Sequence, residues 1–129
     1  MIRLSTKSEY GLLILEYLKR QKGYIPLGKI SSDLGIPLRF SARIASDLAG
    51  AGLIESKEGK GGGYRLSSRV KGISLLDFLK IFEKFSLVKC FDPEFDCIYK
   101  SKCRHKKTFF YIQKAVFDSL KKYKLESII

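Results

Sequence analysis

The sequence predicts a mostly α fold carrying one small β-hairpin, and two observations predict it. Apolar residues recur at steps of three and four in five separate stretches, the period of a half-buried helix. One pair of short strand-like arms flanks a tip that contains three consecutive glycines. A length of 129 residues with 45% hydrophobic composition suits one compact domain, or a small domain with an appended helical element.

Taken in order, TKSEYGLLILEYLKRQKG places Thr6 and Glu9 at capping-box spacing ahead of Leu12, Leu13, Ile14, Leu15, Tyr17 and Leu18, which cover one broad helical face. This first helix should stop near Gly23. The next stretch, IPLGKISSDLGIPLRFSARIASDLAGAGLI, reads as a helix over residues 27–34, a corner at Gly35 and Ile36, and a second helix with Pro37 in its first turn. Gly35 suits the left-handed backbone that follows a helix end, and Ile30, Leu34, Ile36, Ile44 and Leu48 can pack the pair together. Two short helices joined this way form a helix-turn-helix.

LIESKEGKGGGYRLS supplies the hairpin, with arms at residues 53–56 and 64–66 around Glu58, Gly59, Lys60 and the glycine run. Beside a helix-turn-helix such a hairpin is a wing. GISLLDFLKIFEKF then sets Ile73, Leu76, Leu79 and Phe82 on one stripe, with Ser74 and Asp77 in the first turn, as a core-facing helix. CFDPEFDCIYKSKCRH is broken by Pro93 and rich in acids, and should be a loop. The last stretch, RHKKTFFYIQKAVFDSLKKYKLESII, repeats apolar residues at Phe109, Ile112, Val116, Leu120 and Tyr123. A helix of that length exceeds what a small winged domain covers, so its stripe is expected to bury against a second copy in a homodimer. The chain thus divides into residues 1–70, a winged helix-turn-helix, and residues 71–129, a core helix, a cysteine loop and a long dimerisation helix.

Lys and Arg number 25 against 13 Asp and Glu, a net charge of +12, which favours a polyanionic partner. Residues 1–69 hold 12 of the bases and 6 of the acids and residues 70–129 hold 13 and 7, so only local patterning can locate the surface. No run reaches the roughly 18 apolar residues of a membrane span, and Arg3, Lys7, Glu9 and Glu16 interrupt the first stretch; neither a membrane partner nor a signal peptide is expected. The expected setting is the cytoplasm.

A winged helix-turn-helix of this charge binds duplex DNA with its second helix in the major groove and its hairpin tip along the backbone or minor groove. On that helix Arg39, Ser41, Ala42, Arg43 and Ser46 lie early or outward, and the arginine forks suit guanine edges or phosphate. In the wing, Lys57, Lys60 and Arg65 are candidates for phosphate contact. The expectation is a DNA-binding transcription regulator, not an enzyme.

Every cysteine, Cys90, Cys97 and Cys103, and the one histidine, His105, fall within residues 90–105. In a reducing compartment an odd, closely spaced set points to metal binding or redox sensing more than to a disulfide framework. Lys89, Lys100, Lys102 and Arg104 flank the set and favour thiolates, which iron-sulfur clusters require. Zinc is the metal alternative, although gaps of six and five residues are wider than the two to four of a typical zinc knuckle. Thiol or disulfide chemistry without metal is the third reading.

The chain resembles the Rrf2-type bacterial transcription regulators from RLSTKSEYGL through ISSDLGIPLRF and AGLIESKEGKGGGYRLS to ISLLDFLKIFE. The resemblance implies a homodimer joined by the long C-terminal helix that reads a partly palindromic double-stranded operator, with repression as the expected outcome. It also implies a [2Fe-2S] or [4Fe-4S] cluster on Cys90, Cys97 and Cys103, because several members carry one on three cysteines between the helix after the wing and the dimerisation helix. Glu9, whose counterpart in some members is donated by the partner subunit's first helix, and His105 are the candidate fourth ligands. Cluster-binding members commonly have five residues between the first two cysteines, against six here, and a ligand histidine three residues past the last, against two here. On a helix that offset turns the ring by about 100°. Ala42 stands where the iron-sulfur-assembly regulators have a base-reading glutamate, and Glu58 where they have a wing arginine, which implies a different operator. The alternative is a cluster-free winged-helix regulator that answers to thiol oxidation at these cysteines or, as cysteine-free relatives suggest, to a metabolite or a partner protein.

Overall fold

Ser5, not Thr6, opens the first helix. Its extended backbone (φ −71°, ψ 155°) lets its hydroxyl accept from the Ser8 N–H, which makes Thr6 the first helical residue and leaves Glu9 exposed. The expected Thr6 and Glu9 capping box is therefore corrected by one position, because only an extended residue can aim its side chain back over the first turn. The computed structural model describes residues 3–129, which form five α-helices and one two-stranded antiparallel sheet.

Helix α1 (Thr6–Lys19) buries Ser8, Gly11, Ile14, Leu15 and Leu18, a stripe at helical spacing. Gly11 is required for packing: a Cβ there would stand 2.9 Å from the Phe82 ring and 3.1 Å from that of Phe78. Helix α2 (Leu27–Leu34) ends at Gly35, whose φ of +66° is the left-handed turn expected of it, and α3 (Leu38–Gly50) follows Pro37. Ile30, Ile36, Ile44 and Leu48 are all buried where α1, α2 and α3 meet.

Strands β1 (Ile54–Lys57) and β2 (Gly63–Leu66) pair from Ile54 opposite Leu66 to Lys57 opposite Gly63. Ile25, in the link between α1 and α2, bridges to Tyr64 through two backbone hydrogen bonds of 2.8 and 2.9 Å. The wing is thereby tied, toward its tip, to the segment that leads into the helix-turn-helix. The approach is so close that a Cβ on Gly63 would lie 2.2 Å from the Ile25 carbonyl oxygen.

After a 3-10 turn at Ser68–Gly72, α4 (Leu75–Phe82) is capped by Ser74, whose side chain and that of Asp77 form a capping box; sequence reasoning placed both only as first-turn residues. Leu76, Phe78 and Leu79 are buried, and Phe78 and Leu79 join the same core cluster as Ile14 and Ile30. The cysteine segment carries only a 3-10 turn at Lys89–Phe91 before α5 (Lys106–Lys122). The chain then turns back: Leu75 N–H donates to Tyr123 O, Leu125 N–H donates to Ile73 O, and Leu125 is fully buried in the core.

Along α5 the expected apolar stripe divides. Gln113, Val116, Phe117 and Leu120, at spacings of three and four, are half-buried against their own chain, while Phe109, Ile112 and Tyr123 are exposed. Phe117 meets Phe85 edge to face and Gln113 accepts from the Leu87 N–H, so the segment after α4 takes up part of the stripe.

Candidate nucleic-acid interface and cysteine cavity

Helix α3 turns Ser41, Ile44, Ala45 and Leu48 into the core and Arg39, Ala42, Arg43 and Ser46 to solvent. At 3.6 residues per turn the outward four span about 100° of the helix, a narrow face. Ser41 leaves the expected DNA-contacting set, since its position lies on the inner face; its buried Oγ has no hydrogen-bond partner among the described residues. Asp47, one turn after Arg43, is also exposed and was not anticipated. Neither Arg39 nor Arg43 forms an ion pair among the described residues, so both guanidinium groups keep their donors.

The helix ends add to this face. Both α2 and α3 begin after a proline, with no side-chain cap and no acid in the first turn. Their first N–H groups stay open, and the positive end of each helix dipole is left uncompensated. Tyr17 Oη donates to Asp33 at 2.6 Å, which fixes α2 against α1; this bond, with burial and the carboxylate charge, pushes the Tyr17 phenol up to about 12.

In the wing, Lys60 sits at the exposed tip and Lys57 on the outer arm, both without an ion-pair partner among the described residues. Arg65 is held differently. Its Nε donates to Glu55 across the strands at 2.7 Å and its guanidinium lies 4.7 Å from the centre of the Tyr24 ring, which Lys57 also approaches at 5.7 Å. Sequence reasoning missed Tyr24; its adjacency to Ile25, the residue that bridges to the wing, is the only local signal, and it depends on a long-range pairing.

Cys90, Cys97 and Cys103 are free thiols, each half-buried, and together they line one cavity of about 250 Å³ with Asp92, Pro93, Phe95, Lys100 and Lys106. The loop does bring the three cysteines to one place. Glu9, exposed on α1, and His105, exposed just before α5, do not line it. Among the described residues no three His, Cys, Asp or Glu side chains converge tightly enough to hold a metal ion, so the thiols share a cavity without being drawn onto a single point. The donor set, three soft sulfurs with two lysines beside them, suits an iron-sulfur cluster chemically. No helix among the described residues is long and apolar enough to cross a membrane.

A two-helix reading unit, a tethered wing and an exposed basic helix face define a class, the winged helix-turn-helix transcription regulators. The chain belongs to the Rrf2 family, whose model, described as an iron-dependent transcriptional regulator, matches residues 4–129. The HTH-type transcriptional regulator IscR of Photobacterium profundum is 34% identical over 92 residues, 69% of this chain and 54% of that protein. The match thus spans about half of that regulator's length. The structure of CymR, the global cysteine regulator of B. subtilis, superposes with a TM-score of 0.69 at 26% identity, covering 98% of this chain and 95% of that one. The oxidised form of Staphylococcus aureus CymR gives 0.67 at 26% identity, covering 96% and 93%. These relatives are regulators, not enzymes, and this chain is an Rrf2-family transcriptional regulator.

Proposed function

We propose that this regulator is a cytoplasmic repressor that binds a partly palindromic duplex operator as a homodimer, and that the state of Cys90, Cys97 and Cys103 sets its affinity. Residues 1–70 read the DNA through Arg39, Ala42, Arg43 and Ser46, with Lys57, Lys60 and Arg65 on the backbone. Residues 71–129 carry the sensor and the dimer contact. The observation that carries the sensor reading is the shared cavity of three free thiols, placed in the chain between α4, which packs in the core of the winged half, and α5, whose first half exposes Phe109 and Ile112.

The cysteines would hold a [2Fe-2S] or [4Fe-4S] cluster, with Glu9 of a partner subunit or His105 as the remaining ligand. When bound, the cluster supplies a redox-sensitive and oxygen-sensitive group. This chain contributes the coupling: α5 and the turn around Leu125 connect the cysteine loop to the core beneath α1. A change at the loop alters operator affinity only if it favours one arrangement of these parts over another.

Iron content and the visible spectrum of protein purified without oxygen test the cluster. Iron with absorbance that vanishes in Cys97→Ala, while the mutant stays folded, supports it. Colourless, iron-free protein after reconstitution sinks it and leaves the second reading, direct thiol oxidation in a cluster-free regulator. That reading is favoured by the likeness to CymR, whose oxidised form has been crystallised. A shift in operator affinity on peroxide treatment of the iron-free protein, absent in Cys97→Ala, supports it.

A further inference from the structure

We propose that α3 reads thymine methyl groups through Leu38 and Ala42, alongside the guanine edges or phosphates taken by Arg39 and Arg43. The inference rests on the operator-binding reading and adds to it the identity of the bases. Leu38 is 56% exposed, the most exposed large apolar side chain among the described residues before the cysteine segment, and it lies outside the core cluster. Its neighbour Phe40 is accounted for by α1, where its ring meets Tyr10 edge to face at 6.3 Å. Leu38 has no such partner in the fold. Hydrophobic residues scattered singly on a surface are ordinary, so the placement of this one decides the matter.

Leu38 and the exposed Ala42 are four residues apart, so they form one row about 6 Å long on the helix; Arg39 and Arg43 form the adjacent row. The apolar row begins in the first turn, the part of a recognition helix that enters the groove. That turn has no acid and no side-chain cap, so nothing in it opposes close approach to a polyanion.

Among the groups a major groove displays, the thymine methyl is the apolar one. Leu38 and Ala42 offer neither donor nor acceptor, so pressing them against a guanine, cytosine or adenine edge strips water from polar atoms without replacing a hydrogen bond. Against a thymine methyl they gain contact and lose nothing. The row length matches about two base steps of 3.4 Å, which sets two thymines roughly that far apart, next to the guanines that the arginine row reads.

The test begins with selection of binding sites from a randomised duplex library by the full-length protein, followed by replacement of each thymine in the selected half-site with deoxyuridine, which removes only the methyl. Expected are two positions at which uracil weakens binding about fourfold, the loss of one buried carbon group. Leu38→Ala should abolish the uracil sensitivity of one position and Ala42→Ser that of the other, with unchanged melting temperatures, since both side chains are exposed. A selected site that tolerates uracil everywhere overturns this inference while leaving operator binding intact. Failure to enrich any sequence overturns both. Uracil sensitivity that persists in both variants assigns the methyl contacts to other residues and also overturns it.

Discussion

Ser8 Oγ donates to Glu83 Oε1 at 2.7 Å, and the Ser5 N–H donates to the same oxygen at 2.7 Å. A carboxylate at the end of α4 thus completes the N-terminal cap of α1, the place that a carboxylate in α1's own first turn fills in a local capping box. Burial pushes the Glu83 carboxyl up, but the hydrogen bonds from Ser5 and Ser8 outweigh it and hold it below the usual glutamate range. The first helix of the winged half and the helix leading to the cysteine loop are locked together at this point.

Removing that lock should be felt as a pH-dependent loss of stability. Glu83→Ala takes the strong acceptor from the buried Ser8 hydroxyl and from the Ser5 N–H and should cost about 1–3 kcal/mol at neutral pH. Glu83→Gln keeps an acceptor and should cost less. Because the folded carboxyl titrates below its unfolded value, its contribution is fully present above the unfolded pKa of about 4.3 and is lost as pH falls through the folded value. Urea midpoints of wild type and Glu83→Gln should therefore converge on acidification. A gap that stays constant from pH 7 to pH 3 contradicts the assignment.

The contact between the wing and the link before α2 makes a sharper demand on one glycine. At Gly63, φ is +139° and a side chain would collide with the Ile25 carbonyl, so Gly63→Ala must open the Ile25–Tyr64 bridge or displace the hairpin. A loss of at least about 1–3 kcal/mol is expected. Gly28 lies inside α2, where an added methyl would meet nothing within 4 Å, and Gly28→Ala should instead stabilise by about 0.5–1 kcal/mol. Melting temperatures that move in opposite directions for the two substitutions are the check; a neutral Gly63→Ala contradicts the close approach.

Leu125 closes the core from the far end of the chain. It is fully buried among residues of α1, α4 and the turn after the wing, and Leu125→Ala should cost about 2–5 kcal/mol by removing transfer energy and leaving a cavity. Truncating the exposed Ile128 nearby should cost no more than about 0.5 kcal/mol. Chemical denaturation separates the two, and equal effects would show that the terminal turn does not pack as described.

These contacts mark where the sequence was legible and where it stopped being so. The helix-turn-helix could be read because Gly35, Pro37 and the apolar spacing from Ile30 to Leu48 are local signals that physics enforces locally. The first-turn placement of Ser74 and Asp77 was readable for the same reason, although the capping box they form was not read. Thr6 was misjudged because Ser5 and Thr6 are both good caps, and the choice was made by Glu83, nearly eighty residues away. Ser41 looked outward by residue type, yet its place in the helical period sets it inside. Tyr24 and the division of the α5 stripe depend on which distant segments pack against them, information that periodicity does not carry. The three cysteines were legible as a group because a loop of fourteen residues cannot separate them far, whereas their fourth partner has no local signature.

The exposed apolar residues of α5 predict their own experiment. Phe109 and Ile112 are exposed in the first half of α5, whose second half packs on its own chain through Val116, Phe117 and Leu120, and Tyr123 is exposed just past its end, an arrangement that a second copy would complete. Ile112→Glu should convert the proposed dimer to a monomer, measured by light scattering, while the circular dichroism of the fold is retained. Val116→Glu points a charge at the chain's own half-buried packing and should lower the melting temperature as well. An Ile112→Glu protein that remains dimeric places the interface elsewhere.

Two basic residues should separate affinity from specificity. Arg43 lies on the outward face of α3 without an ion pair, and Lys60 sits at the wing tip. If Arg43 reads a guanine, Arg43→Ala should weaken the selected operator by about 1–3 kcal/mol and flatten the preference at one base pair. Lys60→Ala should weaken cognate and random duplex alike and reduce the slope of log affinity against log salt by about 0.9 for one lost phosphate contact. Titrations at several salt concentrations on both duplexes distinguish the two behaviours. Equal losses on cognate and random DNA for Arg43→Ala would move that residue from base reading to backbone contact, and base discrimination on α3 would then fall to Arg39 and its neighbours.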